Sequence, residues 1–372
     1  MPSSPIWPES PAGDGGRAAD ILSGHMEMSA VPHPLPGAPA EGRGEPGGGA
    51  SDREALLEPI VGELAEFERR LEAAVAADLG PMSEAMRHIV RAGGKRIRPA
   101  LVILTSQLGT PLMDHVYDLA MGIEFIHTAT LVHDDLIDRS PTRRGISTIH
   151  EMVGADTAII IGDYYFAKGA NLVAGIGEPS IDAAVSNTVM TVCMGELLQM
   201  TSKDDYGQSL EDYERKIARK TATLLATCCY CGSVVGHLDP ARSAALQSYG
   251  YNLGMAFQIA DDLLDYVATE EELGKPVGAD LRQGTVTLPF MLALQDAGVG
   301  DELSRVISAP PLADGDYQTI VSLVRRSGAV AATEKAAHEY AQRARVELEA
   351  FPESPGRLAL DAACQYVVDR RI

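Results

Sequence analysis

The sequence predicts an all-α protein. Apolar residues recur at helical spacing from residue 52 onward, alternating strand patterns are nearly absent, and the candidate loops are short and marked by Gly or Pro. The chain has 372 residues, 45% apolar and 22% charged, which is ordinary globular composition with ample length for a core.

Residues 1–51 are rich in Pro, Gly, Ala and Ser without an apolar period and read as a disordered tail; residues 52–372 read as the folded domain. From Asp52, ALLEPIVGELAEFERRLEAAVAADLG has helical spacing, followed by MSEAMRHIVRAGG, RPALVILTSQLG and a long segment from about Met113 to Ile137. Further helices are predicted at 155–174, 180–203, 210–219, 221–238 and 240–268, then at about 287–297, 314–327, 329–350 and 355–370. Several are apolar nearly all round, which places them centrally in a bundle. There is no solenoid repeat.

The net charge of −21 argues against a nucleic-acid partner, which normally meets a basic face. No stretch approaches the ~20 apolar residues of a membrane span, and MPSSPIWPESPAGDGG lacks the layout of a secretion signal. Cys228, Cys229 and Cys231 have no second pair of ligands at zinc spacing and read as small buried helix residues. Cysteine usage fits a reducing cytoplasm.

Two segments share one pattern. LVHDDLID carries Asp134, Asp135 and Asp138; IADDLLD carries Asp261, Asp262 and Asp265. On a helix, positions one and five of DDxxD are i,i+4 neighbours, so each cluster is expected to point its carboxylates one way, at a cost of roughly 0.2–0.5 kcal/mol per like-charged pair. Burial would cost far more without cations. Oxygen-rich sites suit magnesium, which bridges carboxylates to substrate phosphates. Two facing clusters could thus clamp a diphosphate.

Basic groups accompany them. AGGKRIRPA places Lys95, Arg96 and Arg98 after a Gly-Gly turn near a helix start, a second phosphate site of charge and backbone N–H groups. Arg143 and Arg144 follow the first aspartate cluster in a loop, and Lys220-Thr221 offers a point charge and a hydroxyl at the head of an apolar helix.

GGKRIRP, EFIHTATLVHDDLID, RRG, a Lys-Thr pair, FQIADDLLD and GKPVGADLRQGTVTLP occur in the order seen in trans-polyprenyl diphosphate synthases. From about residue 55 to the C-terminus the chain resembles that family, long-chain type. The resemblance implies an isoprenoid synthase-like helical bundle around a deep central cavity, usually a homodimer. It implies magnesium, three ions per site, with Asp134 and Asp138 as direct ligands in the first cluster. In the second cluster Asp261 is the implied ligand, supported by Asp262 and Asp265, and Asp135 completes the metal set. Lys95, Arg98, His127 and Arg144 would hold the diphosphate of isopentenyl diphosphate. Arg143, Lys220, Thr221, Gln258 and Lys275 would hold the allylic diphosphate; Arg143 and Lys220 join the metal-binding aspartates as the catalytic set. A lone histidine in an apolar helix is more often a satisfied core residue. His127 is assigned to the site for its place seven residues before Asp134, and His133 is left as structural. Many members have a lysine where this chain has Thr285, so one phosphate contact is expected to be missing.

The implied reaction breaks a C–O bond to give an allylic cation and diphosphate, and the alkene of isopentenyl diphosphate attacks. A dry pocket protects the cation, and no side-chain base is needed. The product grows down the cavity. One turn before Asp134 lie Ala129 and Thr130, where a member that stops early carries a bulky aromatic. These small residues favour a long product, heptaprenyl to decaprenyl, serving quinone side chains such as menaquinone, with transient membrane contact at release. A deeper floor at Ile126, Phe125 or a neighbouring helix would give a short-chain synthase. A non-catalytic partner subunit would usually lose aspartates, and all six are present. A terpene cyclase would carry a glutamate where NTVMTVCMGE has Gly195.

Overall fold

The computed structural model describes residues 56–78, 80–91, 94–269, 276–308 and 310–369. The expected tail, the boundary at 51/52 and Lys275 lie outside the described residues. In chain order the helices are α1 (Val61–Ala76), α2 (Pro81–Arg91), α3 (Ile97–Ser106), α4 (Met113–Ile137), α5 (Ile149–Val153), α6 (Ala155–Gly175), α7 (Pro179–Thr201), α8 (Leu210–Ile217), α9 (Thr223–Val235), α10 (Pro240–Val267), α11 (Ala279–Arg282), α12 (Leu288–Leu294), α13 (Gly300–Ile307), α14 (Asp314–Arg326), α15 (Ala329–Glu347) and α16 (Pro355–Asp369). The architecture is the expected all-α bundle. The short α5, α11 and α13 were not legible as helices, because so few turns give little apolar period to read.

Local chemistry starts helices long and short. Asp239 accepts from Ala241 N and Arg242 N, both at 3.0 Å, ahead of Pro240 at the first helical position of α10. Ser209 caps α8 in the same way, accepting from Asp212 N at 3.1 Å. The central helices then pack backbone to backbone. A Cβ on Gly122 would lie 2.8 Å from Val173 Cγ2 and 3.0 Å from Gly169 O, so α4 meets α6 only because that residue has no side chain.

The expected helices 210–219 and 221–238 are joined by one π-helical turn, Ala218–Ala222, which carries Lys220 and Thr221. Such turns interrupt α-helices mostly at functional positions. The expected loop at Arg143-Arg144 is a two-residue hairpin, β1 (Thr142–Arg143) paired antiparallel with β2 (Ile146–Ser147). Its central residues, Arg144 (φ 52°) and Gly145 (φ 77°), are both left-handed, as a twist-matched hairpin turn requires.

The core falls into two apolar clusters. One joins Phe67, Leu101, Phe125, Tyr165 and Leu253; the other joins Tyr213, Ile259, Phe290 and Leu323. Cys228, Cys229, Cys231 and Cys364 are buried free thiols, and Cys193 is exposed.

Candidate active site

One cavity of about 840 Å³ gathers polar side chains from five parts of the fold. Lys95 and Arg98 reach it from the head of α3, and His127, Thr130 and Asp134 from α4. Arg143 and Arg144 enter from the hairpin, Lys220 and Thr221 from the π turn, and Gln258 and Asp261 from α10. Ile126, Val189, Val192, Leu224 and Phe257 are among its apolar walls.

The two acidic clusters do not point their carboxylates one way. Asp134 and Asp261 line the cavity, whereas Asp135, Asp262 and Asp265 turn into the protein. Asp135 is buried and takes Arg143 in a close ion pair, Nε to Oδ1 and Oδ2 at 2.8 and 2.9 Å and Nη2 to Oδ1 at 2.8 Å. Asp262 is 3% exposed and accepts from Tyr213 Oη at 2.7 Å and Gln258 Nε2 at 2.8 Å. Asp265, 1% exposed, accepts from Asp280 N at 3.1 Å and so anchors the segment after α10. Asp138, half-buried, is the C-cap of α4. The reason is tertiary: the helix period sets each carboxylate's bearing, but α8 and the segment leading into α11 sit where the second cluster's inner acids emerge. Among the described residues, no three His, Cys, Asp or Glu side chains come close enough to hold a metal ion by themselves.

Burial pushes the Asp134 carboxyl up to about 6, with repulsion from Glu196 and Asp138 adding to it and Lys220 opposing. Burial likewise pushes Asp262 up to about 8, helped by Asp280 and Asp261 against its two hydrogen bonds. His127 is held well below the usual histidine range, first by burial and then by Arg98, Arg144 and Arg143, so it is a neutral imidazole among guanidinium groups. The hairpin sends its two arginines different ways: Arg143 to Asp135, and Arg144 toward the Gly94 turn, where its Nη1 lies 3.0 Å from where a Cβ on Gly94 would be.

Residues 81–324 match the polyprenyl synthetase family. The chain belongs to that family. It is a prenyltransferase. It is 38% identical over 305 residues to heptaprenyl diphosphate synthase component 2 of Bacillus subtilis, covering 82% of this chain and 87% of that one. It is 34% identical over 323 residues to a chloroplastic solanesyl-diphosphate synthase of Oryza sativa, covering 85% and 79%. Its fold matches the polyprenyl synthase of Caulobacter crescentus, solved with calcium and isoprenyl diphosphate, at TM-score 0.80 and 34% identity over 86% of this chain and 98% of that one.

Three polar groups of this synthetase, Glu196, Gln199 and Lys216, escaped the sequence, and Gln258, expected at the site, has a second role. Glu196, 9% exposed, takes Lys220 Nζ at 2.8 Å, and Gln199 Oε1 takes it at 3.1 Å. A lone glutamate in the apolar helix α7 was the available signal. Gln258 forms a relay: its Oε1 accepts from Thr221 Oγ1 at 2.7 Å while its amide donates to Asp262. Lys216 is 5% exposed, and its Nζ lies 3.4 Å from Val286 O, beside Thr285 at the expected lysine position. Burial pushes that ammonium down, with Asp262 opposing.

Of the two small residues expected to leave the channel open, Thr130 lines the cavity and Ala129 does not. Ala129 is 1% exposed on the stripe between Ile126 and His133, which contact α6 at Gly169 and Gly162. His133 also packs on α6, with Nε2 3.2 Å from Ile159 O.

Proposed function

We propose that the enzyme condenses isopentenyl diphosphate with an allylic diphosphate, repeatedly, into a long-chain all-trans polyprenyl diphosphate of heptaprenyl to decaprenyl length. The observation that carries this reading is that Asp134 and Asp261, from helices far apart in sequence, open on one cavity that six cationic side chains also line: Lys95, Arg96, Arg98, Arg143, Arg144 and Lys220. Such a cavity suits two diphosphates and little else. The relatives' names, heptaprenyl and solanesyl, favour the long product, as does a threonine in place of a bulky ring at position 130.

Lys95, Arg98, Arg144 and neutral His127 would hold the isopentenyl diphosphate; the imidazole can donate one N–H without adding charge. Lys220, Thr221 and Gln258 would hold the allylic diphosphate, with Lys275 and Arg143 assisting. Their charges stabilise the electron pair that leaves with the C–O bond. The alkene carbon then bonds to the allylic carbon, and the proton lost goes to the released diphosphate. Ile126, Val189, Val192 and Phe257 keep water from the cation.

Magnesium fits this donor set. Asp134 is a desolvated carboxylate facing a second acid, Glu196, a setting that favours a hard cation. Asp134, Asp138 and Asp261 would hold it, three ions per site, with Asp135, Asp262 and Asp265 behind them. When bound it would supply Lewis-acid stabilisation of the leaving diphosphate, worth several kcal/mol.

A homodimer in the cytoplasm completes the reading. It is supported by the exposed stripe Met190, Met194, Leu197 and Met200 along α7, spaced as one helix face. A different chain could cover that stripe, as the name "component 2" of the Bacillus subtilis relative suggests. No helix among the described residues is long and apolar enough to cross a membrane, so any contact at product release would be peripheral. A product of this length suits quinone side chains, menaquinone among them.

The deciding experiment incubates the purified chain alone with magnesium, isopentenyl diphosphate and farnesyl diphosphate, and sizes the product by mass spectrometry. Products of thirty-five to fifty carbons are expected. A single twenty-carbon product would make it a short-chain synthase, and no product without an added second chain would make it one component of two.

A further inference from the structure

Lys95, Arg96 and Arg98 all line the cavity, but the guanidinium of Arg96 is committed to two carboxylates. Arg96 is the N-cap of α3 with φ 51°, a left-handed conformation that is strained for a non-glycine residue and persists only where surroundings enforce it. The enforcement is visible. Arg96 Nε and Nη2 donate to Glu68 Oε1 and Oε2 of α1 at 2.5 and 3.0 Å, a two-pronged pair, while Nη1 donates to Glu124 Oε1 of α4 at 2.9 Å. The Arg96 side chain is 15% exposed and that of Glu124 12%, so the pair is largely removed from water. One residue therefore ties the start of α3 to α1 and α4.

The same clamp reaches the neighbouring cations. Among the described residues, Glu124 Oε2 and Arg98 Nε are sealed from solvent without a hydrogen-bond partner, and both residues line the cavity. Glu124 also opposes the effect of burial on Arg98 and Arg144. A carboxylate inside an anion site makes sense if it keeps crowded guanidinium groups apart and aimed.

We infer that Arg96 is a positioning residue of the isopentenyl diphosphate subsite: its clamp on Glu68 and Glu124 holds the left-handed turn that sets Lys95 and Arg98 on the cavity wall. This rests on the proposal that Lys95, Arg98, His127 and Arg144 hold that diphosphate. Loss of the clamp lets the turn relax and spoils one subsite, leaving the allylic subsite, built from the π turn and α10, unchanged.

Steady-state kinetics with each substrate varied tests this on Arg98→Ala, Arg96→Met and Glu68→Gln. Arg98→Ala should raise the KM for isopentenyl diphosphate; if it does not, the subsite reading fails and this inference falls with it. Given that rise, Arg96→Met should raise the same KM about tenfold and Glu68→Gln about threefold, with the allylic KM and kcat within about twofold of the unaltered enzyme. Glu68 is 36% exposed, so its variant decides the matter if Arg96→Met does not fold. An unchanged KM in the folded variants, or both KM values rising together, overturns the inference.

Discussion

Lys220 Nζ lies 2.8 Å from Glu196 Oε2, so the lysine of the π turn is held by α7 while it faces the cavity. Glu196 is also the largest charge acting to raise Asp134. Glu196→Gln should therefore lower the pKa of Asp134 and move the acid limb of the pH–kcat/KM profile to lower pH. An acid limb that stays in place would separate Glu196 from the reacting groups.

Asp134→Asn and Asp261→Asn should each cut turnover by about two orders of magnitude or more if they hold the metal. Asp134 is a buried acid whose neighbours include two other acids, so its removal should leave the melting temperature of the metal-free protein unchanged or higher. Turnover like that of the unaltered enzyme would remove both residues from the chemistry.

The metal-free protein should lose stability as pH rises. The folded Asp262 carboxyl, at about 8, lies above its ordinary 3.8. Its stabilising contribution is thus complete below pH 3.8 and disappears as pH climbs through 8. Melting temperatures measured in chelator from pH 5 to 8.5 should fall less steeply for Asp262→Asn. Equal slopes would mean that the carboxyl titrates elsewhere.

Chain length gives a paired test on adjacent residues. Thr130→Phe should shorten the product, since Thr130 lines the cavity. Ala129→Phe should instead destabilise by about 1–3 kcal/mol through overpacking against α6, with less effect on length. Denaturant melts and product masses of the two variants distinguish these outcomes, and a folded Ala129→Phe enzyme with a sharply shorter product would reverse the assignment.

Magnesium and a bisphosphonate together should stabilise the enzyme by about 2.7 kcal/mol at a hundred times the dissociation constant. Either alone should do much less, because each needs the other's charge. A thermal shift for the bisphosphonate without magnesium equal to that of the pair would argue for a site built on cationic side chains alone.

The fold was legible because long helices repeat one apolar period over many turns: α4 and α10 begin and end within a residue or so of where periodicity placed them. The residues that share the cavity were legible as types, since carboxylates, guanidinium groups and a Lys-Thr pair are conspicuous in apolar helices. Their division of labour was not. Asp135 and Asp134 are adjacent, yet one pairs with Arg143 and the other faces the cavity. Arg96 and Arg98 both line the cavity, yet Arg96 is held by Glu68 and Glu124 while Arg98 Nε has no hydrogen-bond partner among the described residues. Glu196 offered only the signal of a lone glutamate in an apolar helix, and Lys216 is one of several charges in α8, so neither had a period that marked it out.

Sequence by itself determined the helices, the two acid-bearing segments and the basic turn, since these follow from local spacing and backbone preference. Only the tertiary structure decided which acid of each cluster meets the cavity, which arginine braces the turn and which small residue on α4 lines the cavity. Those choices depend on what packs behind each helix, and that neighbour is supplied by chain tens of residues away.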